Sequence, residues 1–398
     1  MYPEIPASAS LNSGGVQVLM HAFGGEGRTI MDAQARDNDW PLRSIYLYLT
    51  PECNLACRHC WVAPRFKNVR TAEQYIPLPL ISSIVRQALP LGLASIKLTG
   101  GEPLLHPGIQ EILALAREHG LEVNVETNGT LVTPEFARSL AESERRFVSV
   151  SLDGADASTH EWVRGVPGSF DRACDGIRLL AEADLRPQVI MSLFRQNVGQ
   201  IASLVALAEE MGAGSVKFNI VQPTARGVRV HEEGEALSIG ELIAIARQIE
   251  GSLAKETSIP LHVSIPPAFR PLGSLFGARG AGCGRCTIRN ILGVLGDGSY
   301  ALCGIGETIP AMVFGHAARD RLETVWRKHP VIAEVREGIP ERLKGICEAC
   351  AMKGVCLGSC LAQNYSRSRD LWAPYWFCEQ ADEEGLFPPT RRIGSVSN

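Results

Sequence analysis

Between residues 44 and 264 two periodicities take turns along the chain. Runs in which apolar residues alternate or continue over four to seven positions predict strands at 44–50 (SIYLYLT), 95–98, 123–126, 147–152, 189–194, 216–221 and 261–264. Stretches with apolar residues at helical spacing predict helices over 80–89, 109–118, 134–143, 170–183, 198–211 and 239–253. Strands alternating with helices at this spacing imply βα units and a parallel sheet. Six such units suit a partial (β/α)6 barrel of the α/β class better than a full eight-fold one. After the proline-rich SIPPAFRPLGS (264–274) the pattern changes to short strand-like runs (ILGVLG, SYALCG), one helix near 319–328, and many cysteines. The expected organisation is an arm at 1–43, the barrel at 44–270, a small cysteine-rich α+β domain at 271–385 and a tail at 386–398.

Composition narrows the function classes. Of 398 residues, 45% are apolar and 21% charged, which excludes a disordered or fibrous chain. Lys and Arg number 39 against 43 Asp and Glu, a net charge of −4, so there is no global electrostatic grip on nucleic acid or an anionic membrane. No run reaches the roughly 18 apolar residues of a membrane span. The opening MYPEIPASASLNSGG lacks the basic and apolar regions of a secretory signal, so a cytoplasmic protein is expected.

The twelve cysteines are clustered: three at 53–60, one at Cys174, eight between Cys283 and Cys378. In a reducing compartment clustered thiols are metal ligands rather than disulfides. Cys53, Cys57 and Cys60 form C-x3-C-x2-C directly after the first strand, a spacing expected by chance about once in a hundred chains of this cysteine content. Three thiolates fall short of the four-cysteine shell of a structural zinc or an ordinary [4Fe–4S] cluster, but they leave one iron of such a cluster open to another molecule. The loop lies where barrel enzymes keep their chemistry, at the C-terminal end of a strand. The alternative is zinc with His59 as fourth ligand, which adjacency to Cys60 disfavours. Cys174, alone inside a helical pattern, reads as a small core residue.

The C-terminal spacing is Cys283-x2-Cys286-x11-Gly298-x4-Cys303, then Cys347-x2-Cys350-x5-Cys356-x3-Cys360, then Cys378. Eight thiolates suffice for two four-cysteine sites, either zinc or [4Fe–4S].

With its CxxxCxxC loop the sequence resembles the radical S-adenosylmethionine superfamily, and with its C-terminal spacing the SPASM extension of that superfamily. The resemblance implies that Cys53, Cys57 and Cys60 hold a [4Fe–4S] cluster that binds S-adenosyl-L-methionine and cleaves it to a 5′-deoxyadenosyl radical. It implies cofactor contacts from Gly100, Gly101 and Glu102 in the GGEP motif, with the Glu102 carboxylate suited to an ammonium group. Thr127 and Asn128 in ETNG, Ser151 and Asp153 in SLDG, and Arg164 complete the set, with Arg195 and Lys217 as weaker candidates. It further implies two auxiliary [4Fe–4S] clusters, one on Cys283, Cys286, Cys303 and Cys360, the other on Cys347, Cys350, Cys356 and Cys378.

Members of this kind mostly modify peptides or proteins, so the expected function is oxidative maturation of a ribosomally made peptide, with flavodoxin or ferredoxin as electron donor. Sulfatase maturases of the same superfamily carry a general-base aspartate right after the cysteine that follows the G-x4 spacer. Here that position is Gly304, with Glu307 as a conceivable substitute. Tetrapyrrole or other cofactor biosynthesis is a further alternative. A non-catalytic electron carrier is the reading from another class, disfavoured because a carrier needs no vacant iron. The arm before residue 44 is short for a leader-peptide recognition domain.

Overall fold

The computed structural model describes residues 40–62, 65–66, 74–277 and 286–394. Nearly all of the expected arm, and Cys283, lie outside them. Seven strands run parallel in chain order: β1 (Ser44–Tyr48), β2 (Ser95–Thr99), β3 (Glu122–Thr127), β4 (Arg146–Ser151), β5 (Gln188–Leu193), β6 (Ser215–Ile220) and β7 (Leu261–Val263). Each expected strand ends within two residues of these bounds. The helices between them are α1 (Leu78–Ala88), α2 (Ile109–Glu118), α3 (Pro134–Ala141), α4 (Ala157–Arg164), α5 (Ser169–Glu182), α6 (Ile201–Glu210), α7 (Gly227–Glu232) and α8 (Ile239–Gly251).

The sheet does not stop near residue 270. On the other side of β1, β8 (Ile291–Val294) pairs parallel, with Ser44 opposite Ile291. The strands β9 (Ser299–Ala301) and β10 (Val313–His316) continue antiparallel, giving one ten-stranded sheet in the order β10-β9-β8-β1 to β7. Among the described residues its two ends, β10 and β7, do not pair, so the barrel is partial.

Period-two alternation explains the two faces. Ile45, Leu47, Ile96, Leu98, Val123 and Val125 are at most 1% exposed and belong to one apolar core with Ile84, Ile112, Leu140 and Ile177 of the helices. The intervening Tyr46, Lys97, Ser149, Gln188, Lys217 and Asn219 line a cavity on the concave side. The helix α4 has no counterpart among the expected elements, being short and polar on most of its surface. Its sequence does carry its limits: Asp156 caps it by accepting from Thr159 N at 2.8 Å, and Gly165 ends it at φ 73°.

Candidate functional site

The first cysteine loop is held from two sides. From β2, Gly101 N donates to Thr50 O (2.8 Å) and Glu102 N to Glu52 O (2.9 Å). A β-carbon on Gly101 would lie 1.7 Å from Glu52 O, so only glycine permits this approach. Gly100 adopts φ +129°, equally closed to other residues. From α4, the terminal carbonyls of Val163 and Arg164 accept from Arg58 N and Ala56 N at 3.0 Å each, satisfying helix-end acceptors with loop amides. Cys53, Cys57 and Cys60 thereby come to one wall of a cavity of about 720 Å³.

A polar network backs that wall. Glu102, 1% exposed, accepts from Leu104 N (3.1 Å), Thr127 Oγ1 (2.6 Å) and Asn128 N (2.8 Å), tying the GGEP turn to the end of β3. Burial pushes its carboxyl up to about 7 despite those three donors. Asn128 donates to Asn54 Oδ1 (2.8 Å), while its own Oδ1 accepts from Thr130. Cys53 Sγ accepts from Leu55 N (3.4 Å) and Arg164 Nη1 donates to Cys57 Sγ (3.4 Å). Arg164 Nε lies 2.6 Å from Asp153 Oδ2, a buried ion pair. Asp153 in turn accepts from Ser192 N (2.7 Å). Gly100, Gly101, Glu102, Thr127, Asn128, Ser151 and Arg164 all line the cavity; Asp153 stands behind Arg164 and orients it.

His59 is bonded through Nε2 to Ser192 Oγ (3.0 Å) and packs edge-on against Phe194. Burial pushes its imidazole down to about 4, so it is neutral. Arg195 points elsewhere: it forms an exposed pair with Glu241 at 2.7 Å, within the capping box of α8. Cys174 is 3% exposed in the apolar core, with its thiol pushed up to about 11 by burial.

The opposite wall carries Cys286, Cys303, Cys356 and Cys360. Burial and the mutual charge of Cys286, Cys303 and Cys360 raise the first two thiols, Cys286 to about 12. Cys347, Cys350, Cys356 and Cys378 gather around a second, apolar pocket with Leu343, Ile346, Met352 and Phe387, Cys356 lying between the two. Burial pushes Cys347 up to about 11 and Cys356 to about 12. Backbone amides donate to two of these sulfurs, Met352 N to Cys350 and Tyr375 N to Cys347 (3.4 and 3.5 Å). The helices Leu361–Ser368 and Trp376–Glu383, absent from the expected elements, carry Cys378 and stand just after Cys360.

Two residues that sequence reasoning passed over prove to belong here. Tyr48 of β1 faces the cavity and takes the space beside Gly304: a β-carbon there would lie 2.4 Å from the Tyr48 ring. An aspartate at 304 therefore has no room. Glu307 is exposed and bonds to Gly296 N (3.5 Å) rather than lining the cavity. Gln222, after β6, accepts from both Tyr375 Oη (3.1 Å) and Trp376 Nε1 (2.8 Å), fastening the C-terminal region to the barrel.

Residues 47–208 match the radical SAM superfamily model. The chain is 30% identical over 348 residues to the AdoMet-dependent heme synthase of Methanosarcina barkeri, spanning 84% of this chain and 96% of the relative. It is 28% identical over 338 residues to the mycofactocin maturase MftC of Mycobacterium ulcerans, spanning 83% and 86%. SuiB of Streptococcus suis has a similar fold. Its structure bound to S-adenosylmethionine aligns at TM-score 0.68 and 17% identity over 85% of this chain and 77% of SuiB. Its complex with the precursor peptide SuiA aligns at 0.65, over 85% and 76%. The cysteine loop, the GGEP turn stitched to it and the likeness across most of the chain lead to one conclusion: this protein is an enzyme of the radical SAM superfamily, of the SPASM type.

Proposed function

We propose that the enzyme oxidatively modifies a ribosomally made peptide, and that the cavity between the two cysteine-lined walls receives the segment to be modified. The observation that carries this reading is the cavity itself: three thiols with one ligand position short of a full shell face it from one side, and Cys286, Cys303 and Cys360 from the other. Its volume is within the roughly 300–1,000 Å³ of small-molecule sites. MftC is named a maturase and SuiB was solved with its precursor peptide, and both resemble this chain over most of its length.

The family implies S-adenosylmethionine and a [4Fe–4S] cluster, and the residues present fit them. Cys53, Cys57 and Cys60 would hold the cluster, with Leu55 N and Arg164 Nη1 directed at two of the sulfurs. Held there, the cluster and cofactor would supply 5′-deoxyadenosyl radical chemistry. The backbone of Gly100 and Gly101, with Glu102, Thr127, Asn128, Ser151 and Arg164, would bind the cofactor, and Asp153 would keep the Arg164 guanidinium in place. Glu102 already bonds to three donors of its own chain, so it shapes the turn besides offering its carboxylate to an ammonium group. Cys283, Cys286, Cys303 and Cys360 would bind one auxiliary [4Fe–4S] cluster, Cys347, Cys350, Cys356 and Cys378 the other, in a C-terminal cluster-binding domain. A flavodoxin or ferredoxin would supply the electron.

The heme synthase resemblance, 30% identity over 96% of that relative, favours a second reading, modification of a tetrapyrrole. One experiment separates the two. The anaerobically reconstituted enzyme, with dithionite and S-adenosylmethionine, is offered short peptides encoded beside its gene and, separately, carboxylated porphyrins. Peptide maturation predicts a peptide product by mass spectrometry with matching 5′-deoxyadenosine. Turnover of porphyrin and of no peptide would sink it.

A further inference from the structure

The charged groups that line the cavity are almost all compensated. Glu102 is bound by three donors, Lys97 Nζ lies 2.5 Å from Glu126, Arg164 2.6 Å from Asp153, and Arg270 2.5 Å from Glu250. Burial holds His59 and His262 below the ordinary histidine value and therefore neutral. Lys217 remains. Among the described residues its ammonium has no hydrogen-bond or ion-pair partner, although the residue is half-buried.

Its place on the sheet explains its direction. Lys217 on β6 pairs with Ile190 of β5 and His262 of β7, and all three line the cavity. It lies two residues before Asn219, hence deeper than the cysteine loop and GGEP turn, which follow the ends of their strands. Beside it stand neutral Asn219, held by Ser264 Oγ at 2.9 Å, and Gln188, while the charged groups near it, Glu126, Lys97 and Arg270, are already paired with one another or with Glu250. Burial depresses the Lys217 ammonium, with Glu126 and Lys97 acting in opposite senses, and no cysteine perturbs it, whereas Cys286 does act on Lys97. An unpaired, half-buried cation in a cavity lined by both polar and apolar groups is costly to keep desolvated unless an anion joins it there.

We propose that Lys217 is the docking point for a carboxylate of the substrate, which enters acid-end first and presents its neighbouring carbons to the upper part of the cavity. This rests on the cavity being the substrate site, as in the preceding reading. The carboxylate has two peptide sources, a C-terminus or an acidic side chain, and a tetrapyrrole would offer a propionate. Lys217 lies below the cysteine loop and the GGEP turn but level with Ser151 through Ile190, so its effect on S-adenosylmethionine binding is measured beside that on the acids.

The test uses reconstituted holoenzyme with S-adenosylmethionine and three probe pairs: N-acetyl-dialanine and its amide, N-acetyl-aspartate α-amide and N-acetyl-asparagine α-amide, and mesoporphyrin and its dimethyl ester. Affinities are measured by calorimetry for the wild type, Lys217→Met and Lys217→Arg. The expected result is at least a tenfold preference for the acid in one pair, lost in Lys217→Met and kept in Lys217→Arg. Acid preference confined to the first or second pair names the terminus or side chain as the source. Confined to the porphyrins, it keeps the carboxylate inference and removes the peptide reading. Equal binding or none for acid and neutral members of every pair, or an acid preference that survives Lys217→Met, overturns the inference. So does a loss of affinity for S-adenosylmethionine rather than for the acids, which would assign Lys217 to the cofactor.

Discussion

The two cysteine regions of this enzyme are built from the same side chain in opposite surroundings. At Cys53, Cys57 and Cys60 the sulfurs stand among a guanidinium, an asparagine and backbone amides, and the loop faces open volume. At Cys347, Cys350, Cys356 and Cys378 they stand among leucine, isoleucine, methionine and phenylalanine around a small apolar pocket, with backbone amides as the donors to Cys350 and Cys347. A polar, roomy surround lets a second molecule approach a cluster and be oriented by hydrogen bonds; an apolar, cramped one leaves electron transfer or support of the fold. The difference fits the proposed division of labour, with chemistry at the first region and passage of charge at the second.

The sharpest way to break this contrast is to empty one region at a time. With three clusters reconstituted, about twelve iron are expected per chain, and Cys53, Cys57 and Cys60 replaced together by Ala should remove about four of them. That variant should form no 5′-deoxyadenosine. Cys378→Ala should stay soluble and still cleave the cofactor while failing to complete product. Iron analysis beside chromatography of both products decides it; full product from a Cys378→Ala protein lacking that cluster removes the electron-transfer role.

A smaller effect is expected at Glu102. Its folded carboxyl titrates near 7, above its unfolded value, so the apo protein should be most stable below the unfolded value and lose stability as pH rises through about 7. Glu102→Gln should flatten that part of the melting-temperature profile and weaken binding of S-adenosylmethionine. An unchanged profile would show that the carboxylate ionises freely in the fold. The smallest effect belongs to Cys174, whose replacement by Ala should cost about 1 kcal/mol in denaturant unfolding and leave iron content untouched.

Much of the barrel could be read from the chain because its strands have one apolar and one polar face, a pattern that period-two alternation records directly. The cysteine loop and GGEP turn were legible because few backbone paths tolerate them: Gly101 is fixed by a carbonyl that would occupy the space of any side chain. The role of Tyr48 was not legible, since its meeting with Gly304 joins positions far apart in sequence through the β1–β8 pairing. The C-terminal helices escaped for another reason. Leu361–Ser368 and Trp376–Glu383 are amphipathic but only eight residues long, and their buried faces include asparagine and cysteine, so they are masked by the cysteine spacing around them. The neutrality of His59 follows from its burial, which residues distant in sequence such as Ser192 and Phe194 help to supply.

The pairing of β1 with β8 also has a consequence for the order of assembly. On the ribosome β1 emerges early, together with the loop that bears Cys53, Cys57 and Cys60, while its partner Ile291–Val294 is made only after the rest of the parallel strands. Until then one edge of β1 is a bare row of amides and carbonyls, open to wrong partners. Nascent chains halted before residue 291 would therefore be prone to aggregate and poor at accepting iron, and chaperone demand should fall once β8 has cleared the exit tunnel.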